Sequence, residues 1–169
     1  MTTANPRVAT RTATAVYLLG TLVGTVAFCI YKQSWQSGWM LAYDVPAALA
    51  SYSFPALLLA RAVGRLWRWS DAVRLGALVV LTVLTVGREF AHWPTSGHVT
   101  CVVAVAVIMA ADPRLPKPLR AVYWVPVPIV AAVRVIALEH AVETGLVLGA
   151  VAGAVVGVVT LVLTRWLDR

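Results

Sequence analysis

Six long apolar runs, at about residues 13–31, 38–60, 73–90, 97–111, 119–138 and 144–165, fill most of this chain and leave room for little except membrane-crossing helices. A span takes roughly 17–25 apolar residues. The fourth run stops at Asp112-Pro113, so it reaches that length only if its helix begins at Thr95 or Ser96. Pro126 and Pro128 predict a kink in the fifth. Composition agrees, since 60% of the residues are hydrophobic and 12% charged, against roughly a half and a quarter in soluble domains. The N-terminal run continues to about Ile30 without a small-x-small cleavage site, so it reads as a first span and not as a removed signal peptide. The expected fold class is therefore all-α: one polytopic domain over 1–169 with six transmembrane helices.

The positive charges orient it. Distributed over alternate connections, eleven Lys and Arg fall on one side and three on the other. The positive-inside rule then puts both termini in the cytoplasm, and an odd number of spans would destroy the asymmetry. The net charge of +7 is dispersed over segment ends, which points to membrane orientation and away from nucleic acid. Trp35, Trp39 and Trp93 fall at outer ends, and Trp67, Trp69, Trp124 and Trp166 toward inner ends, as interfacial belts do. Arg61, Arg65 and Arg68 are spaced as one face of a short interfacial helix against anionic lipid. Gly145, Gly149, Gly153 and Gly157 form a smooth stripe for close helix packing, within the monomer in preference to a dimer, though the oligomeric state stays open. Cys29 and Cys101 match no metal spacing; buried thiols are expected, with a disulfide as the alternative.

Against this apolar background the titratable residues cluster. The only three histidines lie beside the only three glutamates, in Arg88-Glu-Phe-Ala-His-Trp-Pro-Thr-Ser-Gly-His98 and Arg134-Val-Ile-Ala-Leu-Glu-His140-Ala-Val-Glu143. In the six-span topology both stretches reach the outer face, joined there by Asp44. Polar groups in a membrane wall are costly and mark function. Phosphoryl transfer through histidine fits them. It needs a nucleophilic imidazole, a second one for acid-base work, and fixed positive charge on the phosphate oxygens. Ser96-Gly97-His98 opens a helix whose N-terminal N–H groups favour an anion, and Arg134 offers a bidentate clamp.

Thr95-Ser-Gly-His98 resembles the second signature of the type 2 phosphatidic acid phosphatase superfamily, Pro-Ser-Gly-His. Arg134-x5-His140 is similar to its third, Ser-Arg-x5-His-x3-Asp, with matching order and spacing. The resemblance covers about half the chain. It implies a six-helix core and cofactor-free, metal-free hydrolysis of a lipid phosphate or diphosphate through a phosphohistidine. It makes His140 the nucleophile and His98 the acid and base, with Arg134, Arg88, Ser96 and Gly97 holding phosphate. The sequence departs from the family at four places, one of them being Pro94, which sits one position earlier than the signature's Pro. Arg88 is all that answers the first signature, Lys-x6-Arg-Pro; Val133 replaces the Ser of the third, and Thr144 its Asp. Glu143 is the first choice to orient His140, with Glu139 and Asp44 as substitutes. His92 and Glu89 are accessory and unexplained by the signatures. The implied partners are the bilayer and an amphiphilic phosphate substrate at the outer face of the cytoplasmic membrane. Two alternatives stand beside this: a metal-dependent enzyme built on Glu89-x-x-His92, Glu139, His140 and Glu143, and a non-catalytic binder or transporter of a lipid phosphate.

Overall fold

The structure, a computed structural model, describes residues 6–91, 95–137 and 145–169. All regular structure among them is helical: α1 (Pro6–Lys32), a single 3-10 turn (Ser34–Gln36), α2 (Gly38–Val63), α3 (Trp69–Ala91), α4 (Gly97–Ala110), α5 (Lys117–Val122), α6 (Pro126–Ala137) and α7 (Gly145–Leu167). Every apolar run is thus a helix or a pair of helices. Five stretches are long and apolar enough to cross a membrane: Thr10–Lys32, Gly38–Val63, Trp69–Gly87, Lys117–Ile136 and Gly145–Leu167.

The fourth run falls short of that length. Ser96 is not its first helical residue but its N-cap, and α4 ends at Ala110. Its 14 residues rise about 21 Å, less than the roughly 30 Å of a hydrocarbon core. α4 is instead the central strut. It is apolar all round, and such a helix must be buried all round. Val102, Ala104, Ala106 and Met109 are fully buried, with α2, α3, α5, α6 and α7 packed about them.

The fifth run breaks where a kink was expected. Pro126 has no N–H to give the carbonyl of Val122, and its ring would press on that carbonyl. Accordingly α5 ends at Val122, and Pro126 opens α6 from the first helical position, where a missing donor costs nothing.

Between apolar helices in lipid, close packing holds more than apolar transfer does. The glycines of α7 supply it within the monomer. A methyl group on Gly149 would lie 2.9 Å from the Ser96 carbonyl oxygen, and one on Gly157 2.7 Å from the Val107 Cβ. The stripe Gly149, Gly153 and Gly157 is therefore occupied by α4 and unavailable as a dimer seam. α1 seats on α2 in the same way, with Gly20 against Ala56 and Gly24 against Tyr52. Cys29 and Cys101 are free, half-buried thiols.

The surface is inverted relative to a soluble protein. Leu19, Val23, Leu59, Val83, Val151 and Leu163 are exposed, while Arg61, Asp71, Arg74 and Asp112 are buried. That is the surface of a membrane-embedded protein, with apolar side chains toward lipid and charge inside. Trp35, Trp39, Trp67, Trp69, Trp124 and Trp166 are all exposed near helix ends; Trp93 lies outside the described residues.

The buried charges form one network at the end where α2 and α4 finish and α3 begins. Asp71 accepts from Arg61 at 2.8 Å, Arg74 at 3.0 Å and Arg114 at 2.5 Å, and from the Arg68 backbone N–H at 3.0 Å. Asp112 accepts from Arg61 at 2.6 Å and from Arg114. This overturns the interfacial helix expected over Arg61, Arg65 and Arg68. α2 stops at Val63, and Arg65 takes a left-handed backbone conformation, φ 55°. The three arginines share no helix face: Arg61 turns inward onto the aspartates while Arg65 and Arg68 stay exposed.

Asp112, in the connection after α4, gives this end a pH dependence. Burial pushes its pKa up, but the charges of Arg61 and Arg74 and the hydrogen bond from Arg61 outweigh it and hold the carboxyl below its ordinary value. A carboxyl with a lower pKa folded than unfolded adds stability above its unfolded pKa, and the contribution disappears as pH falls through the folded one. Thermal unfolding in detergent should therefore show a falling Tm as the pH drops below about 4. Asp112→Asn should lower the Tm at neutral pH and flatten that acid limb.

Candidate active site

At the opposite end of α4, its first turn meets α1, α2, α6 and α7. Ser96 caps the helix, its hydroxyl accepting from the Val99 N–H at 3.5 Å. This aims His98 at the junction of α1 and α2. The His98 ring lies between Tyr43, at 4.7 Å between ring centres, and Phe28, edge-on at 5.7 Å. Its Nε2 is 3.4 Å from Asp44 Oδ1. That is ion-pair range without hydrogen-bond alignment, so the buried Nε2 has no well-directed partner among the described residues.

Asp44 is itself held. Gln33 adopts a left-handed conformation, φ 52°, that turns the chain out of α1 and folds Ser34 inward. The fully buried Ser34 hydroxyl donates to Asp44 Oδ2 at 2.5 Å. One carboxylate oxygen is thus fixed by serine and the other faces the imidazole.

Tyr43 joins the remaining parts. Its hydroxyl lies 3.3 Å from Ser96 Oγ and accepts from Arg134 Nη1 at 3.4 Å. Arg134 is buried, three residues before the end of α6. The Ser96 N–H donates to the Gly145 carbonyl at 2.9 Å, which ties the start of α7 to the same spot. The chain on both sides of residues 138–144 is therefore anchored at Ser96, through Arg134 and Tyr43 on one side and Gly145 on the other.

Several expectations change. The Ser96 amide is not free for an anion, because it is spent on Gly145, and its hydroxyl is committed to the cap and to Tyr43. The Gly97 and His98 amides, as the first helical residues, have no intrahelical acceptor. Gly97 is explained by packing, since a methyl group there would lie 3.2 Å from the Thr85 side chain of α3. Asp44, expected among the substitutes for orienting His140, stands against His98; His140 lies outside the described residues. Val133, in the place of the signature's Ser, belongs to the apolar cluster of Tyr43, Val99 and Val130.

Tyr43 and Ser34 escaped the sequence reading. The signal for Tyr43 was its place beside Asp44 in an otherwise apolar run; Ser34 in a turn carried none. His92, Glu139, His140, Glu143 and Thr144 lie outside the described residues, as do the side chains of Arg88 and Glu89, although their backbone belongs to α3. Among the described residues no three His, Cys, Asp or Glu side chains group closely enough to hold a metal ion.

What this arrangement offers chemically is an imidazole braced by a carboxylate, a buried guanidinium nearby, and two amides without an intrahelical acceptor at a helix start. Comparison with known proteins adds no neighbour: no protein-family model, no curated protein and no solved structure matches the chain.

Proposed function

We propose that this protein is a membrane phosphatase that hydrolyses a lipid phosphate or diphosphate at the extracytoplasmic face of the cytoplasmic membrane, with both termini inside and a sixth crossing made by the short, protein-sheathed α4 together with the connections at its two ends. The observation that carries this reading is the convergence of His98, Asp44, Tyr43, Ser96 and Arg134 at the start of α4. These residues come from three separate stretches of chain. An imidazole, a carboxylate and a guanidinium held together suit acid-base work beside an anion.

In the proposed reaction Arg134, Arg88 and the amides of Gly97 and His98 hold the phosphoryl oxygens. His140 attacks phosphorus, a P–N bond forms, and the ester or anhydride P–O bond breaks. His98 gives its proton to the leaving oxygen. It then takes a proton from water as that water attacks the phosphohistidine, which restores His140 and releases phosphate. Asp44 is the positioning residue for His98, and Glu143 orients His140. The substrate's tail stays in lipid while its head enters between α2, α4 and α6.

The test is phosphate release by detergent-purified protein from a panel of isoprenoid diphosphates and glycerophospholipid phosphates, with and without EDTA. Release that survives EDTA and is lost in His140→Ala supports the reading. Release that follows bound metal would replace it with the metal-dependent enzyme. Binding without turnover, unchanged in His140→Ala, would make the protein a lipid-phosphate carrier. Within the proposed mechanism, His98→Gln should lower kcat by roughly 10²–10⁴, with a smaller change in KM, because the proton transfer belongs to the transition state.

A further inference from the structure

A cavity lies at the end of the bundle away from His98, beside the Arg–Asp network. It has a volume of about 750 Å³ and runs between the first half of α1, the end of α2 and the start of α5. Its walls are largely apolar, with Leu18, Leu57, Trp67 and Leu119 among them. Among the described residues, four arginines line it, Arg61, Arg65, Arg68 and Arg114, and no Asp or Glu does. Arg61 and Arg114 are engaged by Asp71 and Asp112. The side chains of Arg65 and Arg68 are exposed and have no carboxylate partner among the described residues.

The charge at this end does not balance internally. Arg61, Arg74 and Arg114 already outnumber Asp71 and Asp112, and Arg65 and Arg68 add to the excess. The turn also carries a cost. Gly64 is right-handed at φ −73°, while its neighbour Arg65 takes the left-handed conformation that glycine adopts freely. Gly64 is needed where it stands, because a methyl group there would lie 3.1 Å from Ala13 and 3.0 Å from the Ala60 carbonyl oxygen. The chain therefore sets an arginine side chain at the cavity in a backbone state that disfavours it. Tyr17, another wall residue, is hydrogen-bonded to Tyr123 at 2.6 Å across to the α5–α6 break.

We propose that this groove holds an anionic phospholipid from the leaflet at that end of the bundle. Its phosphate sits against Arg65 and Arg68, with Arg114 behind, and one acyl chain lies along Leu18, Leu57 and Leu119. The argument is charge complementarity. A cavity with apolar walls and exposed arginines in its lining takes an anionic head joined to an apolar tail, and satisfies arginines that the protein's own carboxylates leave in excess. The site is separate from the His98 cluster and does not depend on the phosphatase reading.

The experiment uses the full chain in phosphatidylcholine nanodiscs containing a small fraction of phosphatidylglycerol, and counts the lipids retained after detergent extraction by native mass spectrometry. The wild type should retain phosphatidylglycerol in preference to phosphatidylcholine. Arg65→Gln/Arg68→Gln should weaken retention by roughly tenfold or more. Thr14→Trp, which places an indole in the groove without changing charge, should weaken it as well. Arg165→Gln/Arg169→Gln, removing two charges elsewhere in the chain, should leave retention near the wild-type level, and inorganic phosphate should not displace the lipid. Equal losses in the two double variants would mean diffuse attraction and overturn the site. Displacement by inorganic phosphate, or no preference for phosphatidylglycerol, would overturn it too. Thermal unfolding of each variant identifies any that fails to fold, and Arg65→Lys/Arg68→Lys should then restore retention.

Discussion

Asp71→Ala should lower the unfolding free energy by about 3–5 kcal/mol. Asp71 is fully buried and accepts from Arg61, Arg74, Arg114 and the Arg68 backbone. Its removal leaves three guanidinium groups facing Asp112 alone. The cost comes less from the lost attraction than from the buried cations left without a partner. The effect should spread beyond the residue, because Asp71 joins the end of α2, the start of α3 and the segment after α4. Unfolding in mixed detergent should show a lower midpoint together with greater proteolysis in the 64–68 turn. A loss below about 1 kcal/mol, the size expected of a water-screened pair, would mean that the network is open to solvent.

Gly153→Leu should be nearly as damaging, at about 3 kcal/mol. Gly153 faces α4, where an added side chain meets the Thr100 carbonyl, the Val103 Cβ at 3.0 Å and the Ala104 amide at 3.2 Å. Two of these atoms are backbone and cannot rotate away, so α7 must shift from the central helix. Gly76→Leu is the control, since nothing lies within 4 Å of a methyl group added there. It should be neutral or slightly stabilising through helix propensity. Equal effects at the two positions would mean that α7 does not rest on α4 through this glycine.

The helices are legible because every run but the fourth is apolar for longer than a soluble element needs, and Pro126 marks the break in the fifth. The ends were harder to read. Arg61, Arg65 and Arg68 have helical spacing, but Gly64 and the left-handed Arg65 end the helix between them. A periodicity count does not see that interruption. Nor does a single sequence show that Arg61 reaches Asp112, 51 residues away, instead of lipid.

The candidate site divides in the same way. Ser96, His98 and Arg134 could be found because local spacing carries them. Asp44 was placed at the correct end but not against His98, because that pairing depends on how α2 packs on α4. Tyr43 bridges Ser96 and Arg134 across 53 and 91 residues, distances over which no local pattern speaks. The Ser96 amide departs from the sequence expectation for a physical reason. A helix-start N–H is free only until another carbonyl reaches it, and here that of Gly145 does.

The central claim is transfer of a phosphoryl group to His140 with His98 moving the proton. The most direct measurement is mass spectrometry of the purified protein, quenched in alkali during turnover of a lipid phosphate in EDTA. A phosphoryl group on the imidazole of His140, absent from His140→Ala and lost on acid treatment, is the result predicted. Turnover with no phosphorylated histidine at any time, or undiminished phosphate release by His140→Ala, would contradict it.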